Sequence, residues 1–197
     1  MAEVTDDTIE YATVERLGAM LGDLREPYKV TESYALFTAI LCWILQRIRT
    51  PEQEDGENDE LARSVRCKLE QIPIDAPPWS VKTTPQEEGE LHRNAHCFPA
   101  FAGLSAFDFF KSLRDVVAHG DARAIRPVNV NGFLVGHEFD CERRRGEPIG
   151  TITLYRADMQ RLGVGLVDLF CQTMQQTIPE RHVAENAHML REEAMTA

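Results

Sequence analysis

The chain has 197 residues, a formal net charge of −11, 43% apolar residues and 27% charged residues. This length allows one domain with a substantial buried core, and the composition is ordinary for a globular protein. The acidity argues against a general nucleic-acid binder, because contacts with phosphates need clustered lysines and arginines. A small basic cleft on an acidic body remains compatible with this charge, so it has to be sought locally.

The start of the chain and its cysteines predict a cytoplasmic protein with reduced thiols. The first ten residues are acidic and polar, unlike a secretory signal. The longest apolar run, residues 35–45, has about half the length that a membrane span needs, so no membrane contact is expected. The five cysteines are scattered and form no Cys-x-x-Cys pair, which favours free thiols.

Two helices are predicted near the start of the chain. Apolar residues at helical spacing indicate a first helix around residues 6–24, with Asp6 or Asp7 as its cap. A second helix is expected to begin at Thr31 or Ser33 and to end before Pro51. Because this second helix is apolar on most of its faces, we expect it to lie at the centre of the fold, with Trp43 as a core residue.

Residues 51–102 read as an insertion between core helices. The segment begins with a polar, acidic stretch that is typical of a solvated loop. Apolar residues at Leu61, Val65, Leu69 and Ile72 then predict a short amphipathic helix. Four prolines between residues 73 and 85 indicate an irregular course after that helix.

The second half of the chain predicts helix, hairpin and helix. Ser105 is a suitable N-cap for a helix over residues 105–119, with Gly120 as its stop. Residues 133–139 and 151–155 are rich in strand-forming residues, which predicts a β-hairpin with its tip near residues 143–148. Helical spacing returns over residues 158–178, and a weakly amphipathic tail helix follows at about 180–197.

The densest group of reactive side chains lies at the end of the helix over residues 105–119. Asp115 and His119 are four residues apart, so they share a helix face. Arg114 precedes His119 by five residues, which is roughly 140° around the helix, and its long side chain can reach the same patch. A cation, a carboxylate and an imidazole therefore converge at a helix C-terminus.

This stretch resembles the HEPN superfamily, whose defining element is an Arg followed several residues later by a His. Here Arg114, Asp115 and His119 match the motif, with four residues between Arg and His. The preceding aromatic-rich helix, the hairpin and the long final helix are also similar to that family. The resemblance implies an up-and-down helical bundle and a homodimer in which two motifs face each other.

Many members of this superfamily are metal-independent endoribonucleases of toxin–antitoxin, defence or RNA-processing systems. The resemblance implies that His119 takes the proton from a ribose 2′-hydroxyl and that Arg114 stabilises charge on the phosphate. Asp115 would orient the histidine ring or hold a partner group. The products would carry 2′,3′-cyclic phosphate ends, and neither metal nor cofactor is expected. RNA and a cognate antitoxin or regulator protein are the partners to expect.

Basic residues outside the motif are candidates for binding RNA. These are Arg123 and Arg126 after the motif and Arg143, Arg144 and Arg145 at the hairpin tip. Their alternative role is an ordinary solvated turn. A second cluster, His92, His96 and Cys97, has two histidines at helical spacing but lacks the further ligands that zinc needs, so no metal site is predicted.

The sequence therefore predicts a single domain that is mainly all-α. Its expected form is a helical bundle of the HEPN type, with a small β-hairpin before the last core helix and an irregular insertion at about residues 51–102. The leading functional prediction is a metal-independent endoribonuclease. Two alternatives stay open: a non-catalytic dimerisation or interaction module, and a regulator that binds a nucleotide without cleaving it.

Overall fold

A computed structural model describes residues 9–23, 29–48, 60–82, 96–97, 103–119, 124–142 and 148–177. The described helices are α1 Ile9–Gly22, α2 Lys29–Ile48, α3 Glu60–Gln71, α4 Ala106–His119 and α5 Arg156–Thr177. The described strands are β1 His96–Cys97, β2 Ile125–Val130, β3 Phe133–Glu142 and β4 Pro148–Tyr155. The predicted caps at Asp6 and Asp7, the stop at Gly120, the hairpin tip at 143–147 and the tail helix lie outside the described residues.

The long apolar helix α2 lies at the centre of the fold, as its sequence predicted. It packs against α1, α3, α4, α5 and β3. Phe37, Ile40 and Ile44 on its buried side are fully inaccessible to solvent. Within the described ranges, no helix combines the length and apolar character needed to cross a bilayer.

A four-stranded antiparallel sheet, in the order β1-β4-β3-β2, packs beside the helices. Strand β3 contacts α4 and α2, and β4 contacts α5. Phe139 pairs with Ile152, and both side chains are fully buried. The prediction of an all-α up-and-down bundle is therefore wrong, because the sheet supplies part of the core that further helices would supply in a bundle. The chain is mostly helical, with a sheet built into its core.

The first hairpin of this sheet was missed in the sequence. Strands β2 and β3 are joined by Asn131 and Gly132, which both have positive φ, at 51° and 81°. Two successive residues with positive φ make the tight hairpin turn that Asn-Gly dipeptides favour. Pro127 lies within β2, which is tolerated because β2 is an edge strand. The turn at Asn131 and Gly132 therefore allows the hairpin to form although Pro127 lies in β2.

The segment from α3 to residue 82, which lies within the predicted insertion, contributes to the core. The predicted short helix is confirmed as α3, and its residues Leu61, Val65 and Leu69 are buried. The proline-rich stretch after it buries Ile74, Trp79 and Val81. The indole of Trp79 meets the ring of Phe110 in α4 edge-on, at a centroid distance of 5.0 Å.

Helices α1 and α5 approach each other closely at two glycines. A Cβ on Gly163 of α5 would lie 2.5 Å from a methyl carbon of Leu21, and one on Gly18 of α1 would lie 2.8 Å from a methyl carbon of Val167. Neither distance leaves room for a side chain, so both helices depend on glycine at their contact.

Candidate functional site

The helix that carries the motif is fixed by its cap and by its aromatic side. The Ser105 hydroxyl accepts a hydrogen bond from the Asp108 backbone amide (3.1 Å), which confirms Ser105 as the N-cap of α4. Phe107, Phe109 and Phe110 then anchor the first half of the helix in the core. The last two turns therefore present Arg114, Asp115 and His119 from a rigid element.

Arg114 bridges helices α4 and α2 and is almost completely buried. Its residue exposure is 8%. Its Nη1 donates to Asp115 Oδ1 at 2.6 Å, and its Nη2 donates to Gln46 Oε1 at 3.0 Å. Since a guanidinium has five N–H donors, these two bonds fix its orientation and leave others available.

The thiol of Cys42 on α2 is influenced by the charge of this guanidinium. Cys42 precedes Gln46 by one helical turn on α2 and is half-buried. Burial raises the pKa of the Cys42 thiol, and the positive charge of Arg114 opposes this rise. The positive charge of Arg114 therefore influences the pKa of a thiol on α2.

His119 differs from Arg114 in its surroundings. It is the last residue of α4, and its side chain is exposed. Asp115, predicted to orient the imidazole, instead forms its ion pair with Arg114. Among the described residues no hydrogen bond joins Asp115 to His119, so the carboxylate positions the guanidinium. The imidazole is free to meet a ligand from solvent.

Two residues of this site were not identified from the sequence. Gln46 accepts a hydrogen bond from Arg114 although it lies 68 residues away along the chain, so no local pattern points to it. Lys111 is half-buried and precedes Asp115 by four residues, which places it on the same helix stripe as Asp115 and His119. That spacing was readable in the sequence.

Of the five arginines predicted to bind RNA, Arg126 lies within the described residues, and it does not join the site. Arg126 lies on β2 and forms an ion pair with Glu138 of β3 at 2.8 Å, with 54% of its side chain exposed. The other four candidates, Arg123, Arg143, Arg144 and Arg145, lie outside the described residues.

The predicted absence of a metal site stays a prediction, because His92 lies outside the described residues. His96 and Cys97 form strand β1, so the helical spacing that drew attention to the cluster does not apply. Among the described residues no group of three potential metal ligands comes together. Cys42, Cys67, Cys141 and Cys171 form no disulfide with one another.

A second histidine lies in a dry environment between the sheet and α2. The ring of His137 on β3 stacks on Tyr34 of α2 at a centroid distance of 4.3 Å. Its Nδ1 is buried and has no hydrogen-bond partner among the described residues. Burial lowers the pKa of His137 and raises that of Tyr34, because it disfavours the charged form of each. Both groups stay neutral at pH 7 and contribute to packing.

Searches with the chain found no matching family model, no similar curated protein and no similar solved structure. The residues at the end of α4 are therefore the basis for assigning a function.

Proposed function

We propose that the protein is a metal-independent endoribonuclease whose site is built on Arg114 and His119. The observation that carries this proposal is the arrangement at the end of α4. Two hydrogen bonds fix the orientation of the Arg114 guanidinium. The exposed imidazole of His119 follows five residues later. Preorganised donors stabilise developing charge better than mobile ones do, because little reorganisation is needed during the reaction.

In the proposed reaction, His119 accepts the proton of a ribose 2′-hydroxyl. The 2′-oxygen then attacks the adjacent phosphorus, and the bond from phosphorus to the 5′-oxygen of the next nucleotide breaks. The departing 5′-oxygen takes a proton from water, and the other product carries a 2′,3′-cyclic phosphate. The remaining N–H donors of Arg114 bind the phosphate oxygens as their charge grows. Histidine is the side chain that most often serves as a general base in enzymes at neutral pH.

The proposal includes a homodimer that brings two motif ends together, as the resemblance to HEPN proteins implies. It also includes a cytoplasmic setting and a role as a toxin or defence nuclease. A cognate antitoxin or regulator with a basic surface would complement the net charge of −11. Since that charge repels RNA at long range, we expect cleavage to depend on local contacts and to be favoured by moderate salt.

A second function, a non-catalytic interaction module, is favoured by one specific observation. Arg114 is 8% exposed and already bonded to Asp115 and Gln46. These contacts suit a residue that joins α4 to α2. In this second function, His119 would contact a partner protein, and its loss would weaken binding rather than catalysis.

The experiment that separates the two functions uses a mixed RNA pool in EDTA. Wild-type protein, His119→Ala and the neighbouring control Ala118→Ser are compared at equal concentration. The proposal predicts cleavage by the wild type and the control, and a loss of about 10²-fold or more in His119→Ala with an unchanged melting temperature. If none of the three cleaves RNA, while His119→Ala alone loses binding to a partner, the interaction module is the better account.

A further inference from the structure

Trp43 is exposed although its sequence context predicted a core residue. It lies on α2 with 41% of its surface accessible. Among the described residues, the other large apolar side chains with such exposure are Met20 on α1 and the pair Val130 and Phe133 beside the β2–β3 turn. Trp43 differs from these because it lies one helical turn from Gln46, which binds the motif arginine.

The exposed face of α2 leaves the indole ring open. Ala35, Ala39, Trp43 and Gln46 succeed one another at helical spacing, and all four are exposed. A helical side chain leans back toward the helix N-terminus, so the Trp43 ring extends over the turn of Ala39. A methyl group is too small to cover an indole. Trp43 also makes no hydrogen bond or ring contact in the described part of the chain.

The motif arginine is hydrogen-bonded to a surface neighbour of this ring, Gln46. Residues three apart on a helix have Cβ atoms about 5–6 Å from each other, so Trp43 and Gln46 are surface neighbours. Around the helix, Cys42 and Trp43 lie on opposite sides of Gln46. A polymer that places one phosphate at Arg114 would therefore reach Trp43 with a neighbouring unit.

Arg114 supplies a positive charge close to this patch, because it is hydrogen-bonded to Gln46, the neighbour of the ring. Asp115 pairs with Arg114, and α4 also carries Lys111 and Asp108. Aromatic rings next to cations are the combination with which proteins hold single-stranded nucleic acids.

We propose that Trp43 is a stacking platform for an unpaired base of single-stranded RNA, adjacent to the nucleotide whose phosphate meets Arg114. This inference rests on the proposed function and adds a substrate class to it. Bases within a duplex are already stacked and cannot lie on Trp43, so single-stranded regions are the substrate. Because every base has an aromatic face, stacking on Trp43 imposes little sequence preference.

Intrinsic fluorescence tests this inference directly. The chain has two tryptophans, and Trp79 is only 1% exposed, so quenching by a ligand reports on Trp43. The probe is a short oligouridylate with 2′-O-methyl groups, which can bind but cannot form a cyclic phosphate. We expect this probe to quench the wild-type emission, and Trp43→Phe, which lacks the reporting indole, to show no such change.

Affinity for the same probe, labelled with a dye and followed by anisotropy, provides the second readout. Trp43→Leu should weaken binding about tenfold, whereas Trp43→Phe, which keeps an aromatic ring, should retain most of the affinity. Phe133→Leu is the matched control, because Phe133 is the more exposed side chain (75%) but lies at the β2–β3 turn. Its affinity for the probe should equal that of the wild type.

Two results would overturn the inference. The first is a wild-type emission that the probe leaves unchanged, together with an unaltered affinity of Trp43→Leu. The second is a tryptophan emission that changes with protein concentration in the absence of RNA, while the wild type has the mass of a dimer and Trp43→Leu the mass of a monomer. Trp43 would then lie in a contact between two copies of the chain. Failure of the nuclease proposal looks different: the probe binds and quenches Trp43, but native RNA is not cleaved.

Discussion

The two halves of α4 lie on one helix but have different surroundings. In the first half, Phe107, Phe109 and Phe110 are buried, and Trp79 packs against this aromatic group. In the second half, Arg114 is held at the surface of the core by polar partners, and His119 is exposed. The first half is held by buried aromatic rings, whereas the second half ends in an exposed histidine.

The difference between the two halves shows that residues that stabilise the fold and exposed polar residues can lie on different parts of one helix. Burial of the aromatic half sets the direction of the whole helix, because a rigid helix cannot bend between its two ends. Within the motif, Arg114 adds a contact with α2 through Gln46, whereas His119 is exposed at the end of the helix. Substitutions in the two halves should accordingly change different properties.

The largest effect is expected from Phe110→Ala. Removing a fully buried ring that contacts Trp79 leaves a cavity, which should lower the free energy of unfolding by about 3–5 kcal/mol. Chemical denaturation measures this change. The control in the other half is His119→Gln, which should stay within about 0.5 kcal/mol of the wild type. Similar losses in both variants would contradict the division of α4 into two halves.

A smaller effect is expected at the boundary between the halves, from Arg114→Ala. The variant loses the hydrogen bonds to Asp115 and Gln46, and we expect a loss of about 1–2 kcal/mol. A double-mutant cycle with Gln46→Ala isolates the bond between α4 and α2. A coupling energy of about 0.5 kcal/mol or more is predicted, and strictly additive losses would show that the bond is not formed in solution.

The smallest effect concerns pH and contrasts His137 with the exposed His119. Burial lowers the pKa of His137 in the folded protein. When the pH falls below the unfolded value of ~6.5, the unfolded chain binds a proton that the folded chain does not, so stability falls with pH. The slope should remain below about 1.4 kcal/mol per pH unit, since the half-buried ring is partly screened by solvent.

His137→Phe should flatten this dependence between pH 7 and pH 5, because phenylalanine keeps the stacking on Tyr34 and does not titrate. Unfolding free energies at several pH values, for this variant and for His119→Gln, provide the comparison. A slope in His137→Phe equal to that of the wild type would contradict the assignment of this pH dependence to His137.

Local patterns in the sequence predicted much of the helical structure. The spacing of apolar residues identified α2 and α3, and Ser105 marked the start of α4, because caps and periodicity depend on neighbouring residues. The same local reading found Arg114, Asp115 and His119. It also found β3 and β4, although it underestimated the length of β3 and missed its partner β2.

The remaining features depend on contacts between distant parts of the chain. The sheet joins the core only because β3 packs against α4, which no single stretch of sequence encodes. Gln46 becomes part of the site through a contact across 68 residues. Trp43 was assigned to the core because of its apolar neighbours, whereas its exposure follows from where the other helices pack on α2.

The most direct test of the central claim concerns the chemistry of the products. RNA that carries one 2′-O-methyl group at a known cleavage position is incubated with the wild-type protein in EDTA, and the new ends are analysed by mass spectrometry. The account predicts 2′,3′-cyclic phosphate ends at unmodified linkages and no cleavage at the methylated one, because the 2′-hydroxyl is the nucleophile. Cleavage through the methylated linkage, or products with 5′-phosphate and 3′-hydroxyl ends, would contradict it.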